Sequence, residues 1–171
     1  MDATLRVIER DGASGVTHRT VAREADLPAT ASTYYFESID ALLTAALTSC
    51  MNEDADRLCE LIDAPDDGTD KRVALAALMS RTVAAKGRLL AEFELCLLAS
   101  RRPDLRGPNR RWRDALCDIA RLFTDDPLRV KVFARAYDGL LLQALLADEP
   151  PTTDEFEAML GQLLPGHPDS R

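Results

Sequence analysis

The sequence is poor in the residues from which most catalytic and metal sites are built. It has only two histidines, His18 and His167, and aromatic residues make up 5% of the chain. Its four cysteines, Cys50, Cys59, Cys96 and Cys117, form no Cys-x-x-Cys and no Cys/His cluster. Each lies among Leu, Ile or Met at helical spacing. That pattern reads as small hydrophobes in a reducing compartment, with an oxidisable pair as the alternative. There is no Gly-rich phosphate loop and no paired-carboxylate spacing, so an enzyme is disfavoured and no metal or cofactor is expected. No apolar run reaches the roughly 18 to 20 residues that span a bilayer. The longest, Val132 to Ala147, is broken by Arg135 and Asp138. A charged start followed by an apolar stretch is also missing, and the expected location is the cytoplasm.

What is present points to helices. The 171 residues are 46% hydrophobic and 29% charged, with a formal charge of −8. This apolar share is too high for a disordered chain, and the acidic balance excludes a uniformly basic coat. Strong helix formers dominate, and Pro and Gly fall between the periodic segments. The spacing predicts a first helix over Asp2 to Asp11 stopped at Gly12, and a second, capped by Thr17, to about Ala25. A short third helix follows over Ala29 to Phe36. Ser38 caps a long fourth helix to Ile62, and Asp63 to Thr69 breaks the chain. Further helices are expected over Asp70–Lys86, Arg88–Ala99 and Asn109–Phe123. Asp126-Pro127 starts another, which runs to Ala147. Thr152-x-x-Glu155 is a capping box opening the last helix, to about Leu164. The tail from Gly166 is expected to fray.

The segment Thr17 to Phe36 carries the functional signal. Two short helices joined at Asp26-Leu27-Pro28 make a helix-turn-helix, whose second helix is offered to the major groove. Ala22 is small where helices must cross, and Ala25, Leu27 and Phe36 are expected to fill the local core. Ala29, Thr30, Ala31 and Thr33 present short hydroxyl and methyl groups able to approach base edges. Tyr34 and Tyr35 have hydroxyls for phosphate oxygens. Thr17, His18 and Arg19 open the second helix, where the positive dipole end also favours phosphate.

In type and order these residues resemble the tetracycline-repressor (TetR) family of bacterial transcription regulators. The match rests on the helix ending at Gly12, Thr17-x-x-x-Val21-Ala22-x-x-Ala25, Leu27-Pro28, Thr33-Tyr34-Tyr35-Phe36 and Ser38-x-x-x-Leu42-Leu43. Farther on, Glu94-Leu95, Arg101 to Arg106 and Asp138-Gly-Leu-Leu141 are similar to one C-terminal subgroup. The resemblance implies an all-α fold, with a helix-turn-helix DNA-binding domain over 1–45 and a ligand and dimerisation domain over 46–171. It further implies a homodimeric repressor on a palindromic DNA operator, released by a small, largely apolar effector that tilts the long fourth helix. Ala29, Thr30, Ala31 and Thr33 would face the groove, while Tyr34, Tyr35, Thr17 and Arg19 would touch the backbone.

Three positions depart from that pattern: the first helix begins at residue 2 with no basic arm ahead of it, Ile39 replaces a usual Lys or Arg, and Asp26 replaces a usual Gly. They leave open a helical ligand-binding protein of the same descent with weak or lost DNA binding. Met1 to Phe36 holds four Arg against five acids, so −7 of the −8 lies in the rest of the chain, whose repulsion is expected to make operator binding weak and salt-sensitive unless basic residues precede Met1.

In the C-terminal part, the expected dimer contact comprises Val130, Phe133, Leu141 and Leu145 of one helix and Phe156, Met159, Leu160 and Leu163 of the last. The expected pocket residues are Leu47, Met51, Met79, Phe93, Leu97, Trp112, Leu116, Phe123 and Tyr137, with Glu92, Glu94 or Tyr137 orienting a ligand. Arg101 to Arg113 carries six Arg against one Asp and reads as a solvated rim.

Overall fold

The computed structural model describes residues 1–28, 34–65, 68–102 and 106–166. Among them lie eight α-helices and no strand: α1 (Asp2–Asp11), α2 (His18–Glu24), α3 (Ile39–Asp63), α4 (Lys71–Ala84), α5 (Lys86–Arg101), α6 (Pro108–Arg121), α7 (Pro127–Leu146) and α8 (Thr153–Leu163). A turn of 3₁₀ helix, Ala13–Gly15, joins α1 to α2. None of these helices is long and apolar enough to cross a membrane. The expected helix over Ala29–Phe36 falls largely outside the described residues, although Tyr34 and Tyr35 are helical.

The helix starts are where local chemistry places them. Thr17 Oγ1 accepts from Thr20 N at 3.0 Å, and Thr20 Oγ1 accepts in return from Thr17 N at 2.9 Å. Ser38 Oγ accepts from Ala41 N, Asp70 Oδ1 from Arg72 N, and Asp126 Oδ1 from Leu128 N with Pro127 in the first turn. The Thr152–Glu155 box is complete. Each cap satisfies a backbone N–H that has no partner inside its own helix. The end of α3 is closed differently. Lys71 Nζ donates to the carbonyls of Leu61, Ile62 and Ala64 at 3.0, 2.7 and 3.0 Å, setting a cation on the negative end of a 25-residue helix.

The chain forms two compact units. The first comprises Met1–Glu53 with Lys86–Arg110, and the second Asp54–Ala85 with Arg111–Arg171. The grouping departs from a division at residue 45, because α5 and the first half of α3 cluster with the N-terminal helices.

In the first unit, α1 packs against both α2 and α5. Its Leu5, Val7 and Ile8 are buried, together with Val21, Ala22, Leu42, Leu43, Leu47, Leu89 and Leu95. At Gly87 an added Cβ would lie 1.8 Å from Glu9 Oε1, so glycine there leaves room for the Glu9 side chain beside α5.

In the second unit, α4 packs along α8 and also meets α7. The Ser80 and Thr153 hydroxyls join across that contact at 2.8 Å. Arg72 Nη1 donates to Leu164 O at 2.8 Å, and its guanidinium lies 5.3 Å from the Phe123 ring centre. Phe133, Tyr137, Phe156 and Leu160 fill the core between these helices. Each large apolar side chain buried there contributes about 1.5–3 kcal/mol. All four cysteines are free thiols; Cys50 is buried and the other three are half-buried.

Candidate nucleic-acid interface and effector region

The first unit presents an N-terminal head assembled by ion pairs. Glu24, in the last turn of α2, receives Arg6 Nε at 2.8 Å and Arg10 Nη1 at 2.9 Å, both from α1. Hydrogen bonds from Arg6 and then Arg10 hold the Glu24 carboxyl below its usual range. Arg10 also reaches Asp11, and these two acids push its guanidinium still higher. Arg6 and Arg10 therefore hold the head together, while Arg19 and Arg23 remain exposed on α2.

After α2 the chain reverses at Asp26, which adopts φ 54°. This left-handed conformation is where glycine is otherwise favoured, and Asp is among the side chains that tolerate it. Val21 and Ala22 are buried as expected, whereas Ala25 and Phe36 are half-buried. Leu27, expected in the local core, is exposed: beyond the left-handed residue the chain leaves the α2 axis and carries this side chain to the surface.

Tyr34 and Tyr35 stand out, 84% and 71% exposed, with ring centres 5.2 Å apart and nearly perpendicular. Two adjacent aromatic rings in solvent contribute nothing to a core, and their hydroxyls are open to a partner. Thr17 and Arg19 are exposed and His18 is half-buried, although the Thr17 hydroxyl already caps α2. Ala29, Thr30, Ala31 and Thr33 lie outside the described residues, as does His167.

The expected pocket residues divide between the two units. Leu47, Met51, Phe93 and Leu97 belong to the first, and Met79, Trp112, Leu116, Phe123 and Tyr137 to the second. Leu47, Met51, Met79, Leu116 and Tyr137 are buried, Phe93, Trp112 and Phe123 half-buried, and Leu97 is 69% exposed. Trp112 of α6 meets Tyr137 of α7 edge-on at 5.7 Å, and Phe133 lies 6.0 Å beyond. Trp112 Nε1 donates to Asp138 Oδ1 at 3.2 Å. Burial against surrounding protein pushes the Asp138 carboxyl up, opposed in part by that bond, although the residue retains exposed surface. Glu92 is buried and paired with Arg88 at 2.9 Å. Glu94, the other acid considered for a ligand, instead accepts from Ala13 N at 2.7 Å.

Of the expected dimer residues, Val130, Phe133, Leu141, Leu145, Phe156 and Leu160 are buried within the single chain, and only Met159 and Leu163 are half-buried. These six supply the unit's own core. The apolar surface of α7 is instead Leu128, Val132, Leu142 and Leu146.

Residues 68–166 match the tetracyclin repressor-like C-terminal domain family. The chain belongs to the tetracycline-repressor family. Beside this TetR-family assignment stand several solved relatives. A TetR-family member from Streptomyces coelicolor A3 superposes with a TM-score of 0.80 at 34% identity, covering 96% of this chain and 95% of that one. The multidrug binding protein EbrR in complex with malachite green gives 0.76 at 33% identity, over 96% and 95% of the two chains. The nicotine-responsive transcriptional repressor HdnoR of Paenarthrobacter nicotinovorans is 30% identical over 105 residues, 60% of this chain and 54% of the repressor. The match thus spans about half the length of that curated relative.

The contacts that sequence reasoning missed are Glu94 on Ala13, Trp112 on Asp138 and Arg72 on Leu164. No local pattern signals them, because each joins helices remote in sequence.

The Glu24 pairing sets a pH dependence. Its carboxyl is lowered in the folded head, so the contribution is present above the ordinary glutamate value of 4.5 and is lost as pH falls below it. Acid unfolding followed by amide exchange in α1 and α2 should show this loss, and Glu24→Gln should flatten it. An unchanged acid limb in that variant would contradict the assignment.

Proposed function

We propose that this chain is a DNA-binding transcriptional repressor that acts as a homodimer and is released from its operator by a small aromatic effector. The observation carrying the reading is the exposed Tyr34–Tyr35 pair, following a head two of whose four arginines are held in internal pairs. Tyrosine hydroxyls donate to phosphate oxygens without reading sequence, which suits a head with little spare positive charge. Ala29, Thr30, Ala31 and Thr33 then read base edges, with Arg19, Thr17 and His18 flanking the backbone. HdnoR, a nicotine-responsive repressor, supports the same direction.

Dimerisation doubles the bases read, since two heads spaced ~34 Å apart address a palindrome. The face that fits a second copy is the stripe Leu128, Val132, Leu142 and Leu146 of α7, with Met159 and Leu163 of α8 beside it. Gly139 lies on that stripe, and a Cβ built there meets nothing within 4 Å. Its missing side chain lets another helix approach closely.

The effector region combines the Trp112 and Tyr137 rings with the Asp138 carboxylate. EbrR has been crystallised with ethidium, malachite green and proflavin, which are aromatic cations. Aromatic faces and one acid are the chemistry that recognises such molecules. A bound cation favours the ionised form of Asp138, so affinity rises with pH through its titration.

Three measurements test the proposal. Operators are first selected from randomised duplexes by the wild-type chain. Changing Tyr34 and Tyr35 together to Phe should lower affinity for selected and unselected duplexes alike, about fivefold to tenfold per lost phosphate bond. Equal affinities would remove the phosphate role. Light scattering on wild type should give twice the chain mass, and Leu142→Glu with Leu146→Glu should give one chain mass without loss of helicity. A monomeric wild type would end the dimer assignment. Proflavin should quench the chain's single tryptophan, Trp112, with affinity falling about threefold to tenfold in Asp138→Asn. Absence of quenching would reject a flat aromatic cation as effector.

A further inference from the structure

Helix α5 lies inside the stretch that matches the C-terminal domain family, yet it clusters with the reading head. Several contacts fix it there. Near its start, Gly87 adjoins Glu9 of α1, and Arg88 pairs with Glu53 of α3 at 3.0 Å. Just past its end, Arg102 pairs with Asp40 in the first turn of α3. Between them, Glu94 Oε2 accepts the Ala13 amide at 2.7 Å, across 81 residues of sequence. Ala13 opens the 3₁₀ turn, where a backbone N–H has no helical partner of its own. Gly12, at φ 73°, brings the backbone beside the same carboxylate: a Cβ there would sit 3.4 Å from Glu94 Oε2. Four residues beyond Ala13 is Thr17, the cap of α2.

We propose that Glu94 is a positioning residue, through which α5 fixes the turn between α1 and α2 and thereby the placement of the reading head. The argument is one of connectivity. Helix α5 is joined covalently to α4 through Ala85 and to α6 through residues 102–107, and α4 and nearly all of α6 belong to the second unit. A displacement of α5 reaches Ala13 directly through a short charge-assisted bond, beside the apolar contact of α5 with α1. The carboxylate that the sequence offered as a ligand anchor thus acts on backbone. This inference rests on the DNA-binding reading for its operator arm and not for its exchange arm.

The test uses the full chain as wild type, Glu94→Ala, Glu94→Gln and Glu94→Asp. In Glu94→Ala, amide exchange in residues 9–16 should rise about tenfold while residues 156–163 of α8 stay within about twofold. The preference for the selected operator over the same operator with one central base pair inserted should fall about threefold, because loosely held heads discriminate spacing less. Glu94→Gln should keep both readouts near wild type, since its amide oxygen still accepts. If Glu94→Ala fails to fold, Glu94→Asp, one methylene shorter, should show the same pattern at smaller amplitude. Unchanged exchange in residues 9–16, or a rise equal in α8, overturns the proposal. So does raised exchange with an unaltered spacing preference, which reduces Glu94 to a local stabiliser of the turn. If wild type selects no operator, the DNA-binding reading falls, and the exchange arm still decides whether Glu94 holds the turn.

Discussion

The burial of Val7 and Ile8 on α1 is the constraint on which the first unit depends. A ten-residue helix is too short to be stable alone in water, so it persists only through what covers it. Its apolar face must serve α2 and α5 together, and its polar edge provides Arg6 and Arg10 to Glu24. One helix therefore sets both the angle of the reading head and the seat of α5. Loss of that seat would loosen α2 as well, because α1 is the helix against which its seven residues chiefly pack.

The charge distribution follows from this arrangement. A head with four arginines would normally spend them on phosphates, where electrostatic contact supplies most of the affinity. Here two are spent on assembling the head, and the chain as a whole carries −8. Arg19 and Arg23 stay exposed, and the two exposed tyrosines add neutral donors beside them. The charge of Glu24 is itself offset by the two guanidiniums beside it.

What the sequence disclosed and what it hid divide along the range of the interaction. The caps at Thr17, Ser38, Asp126 and Thr152 were legible because a cap is settled within about four residues. The Gly12 stop was legible for the same reason, whereas the left-handed turn at Asp26 was signalled only by the Gly that the resembled family usually has there. That α7 would bury an apolar face was legible too, although Leu128, Val132, Leu142 and Leu146 of the same helix stay exposed. Which side meets which neighbour was not. Val130, Phe133 and Leu141 face the chain's own core, while Leu128 and Leu146 remain outside, and periodicity assigns both sets to an apolar helix without ranking them. The fate of the carboxylates was hidden more deeply. Glu92, Glu94 and Asp138 are alike in sequence context, yet one pairs with Arg88, one caps a backbone amide 81 residues away, and one accepts from an indole.

Helix α7 shows why such a division has to exist. Tyr137 and Asp138 are neighbours in the chain but point about 100° apart around the helix, so one can close a core while the other edges the surface. The Trp112 ring bridges this corner, touching Tyr137 with its edge and Asp138 with its N–H. One residue later Gly139 lies on the exposed apolar stripe that runs from Leu128 to Leu146. A molecule that displaced the indole would disturb the core packing of Tyr137 and the flank of the exposed stripe in the same step. The two events are therefore linked through one side chain, with no need for a longer path along the helix.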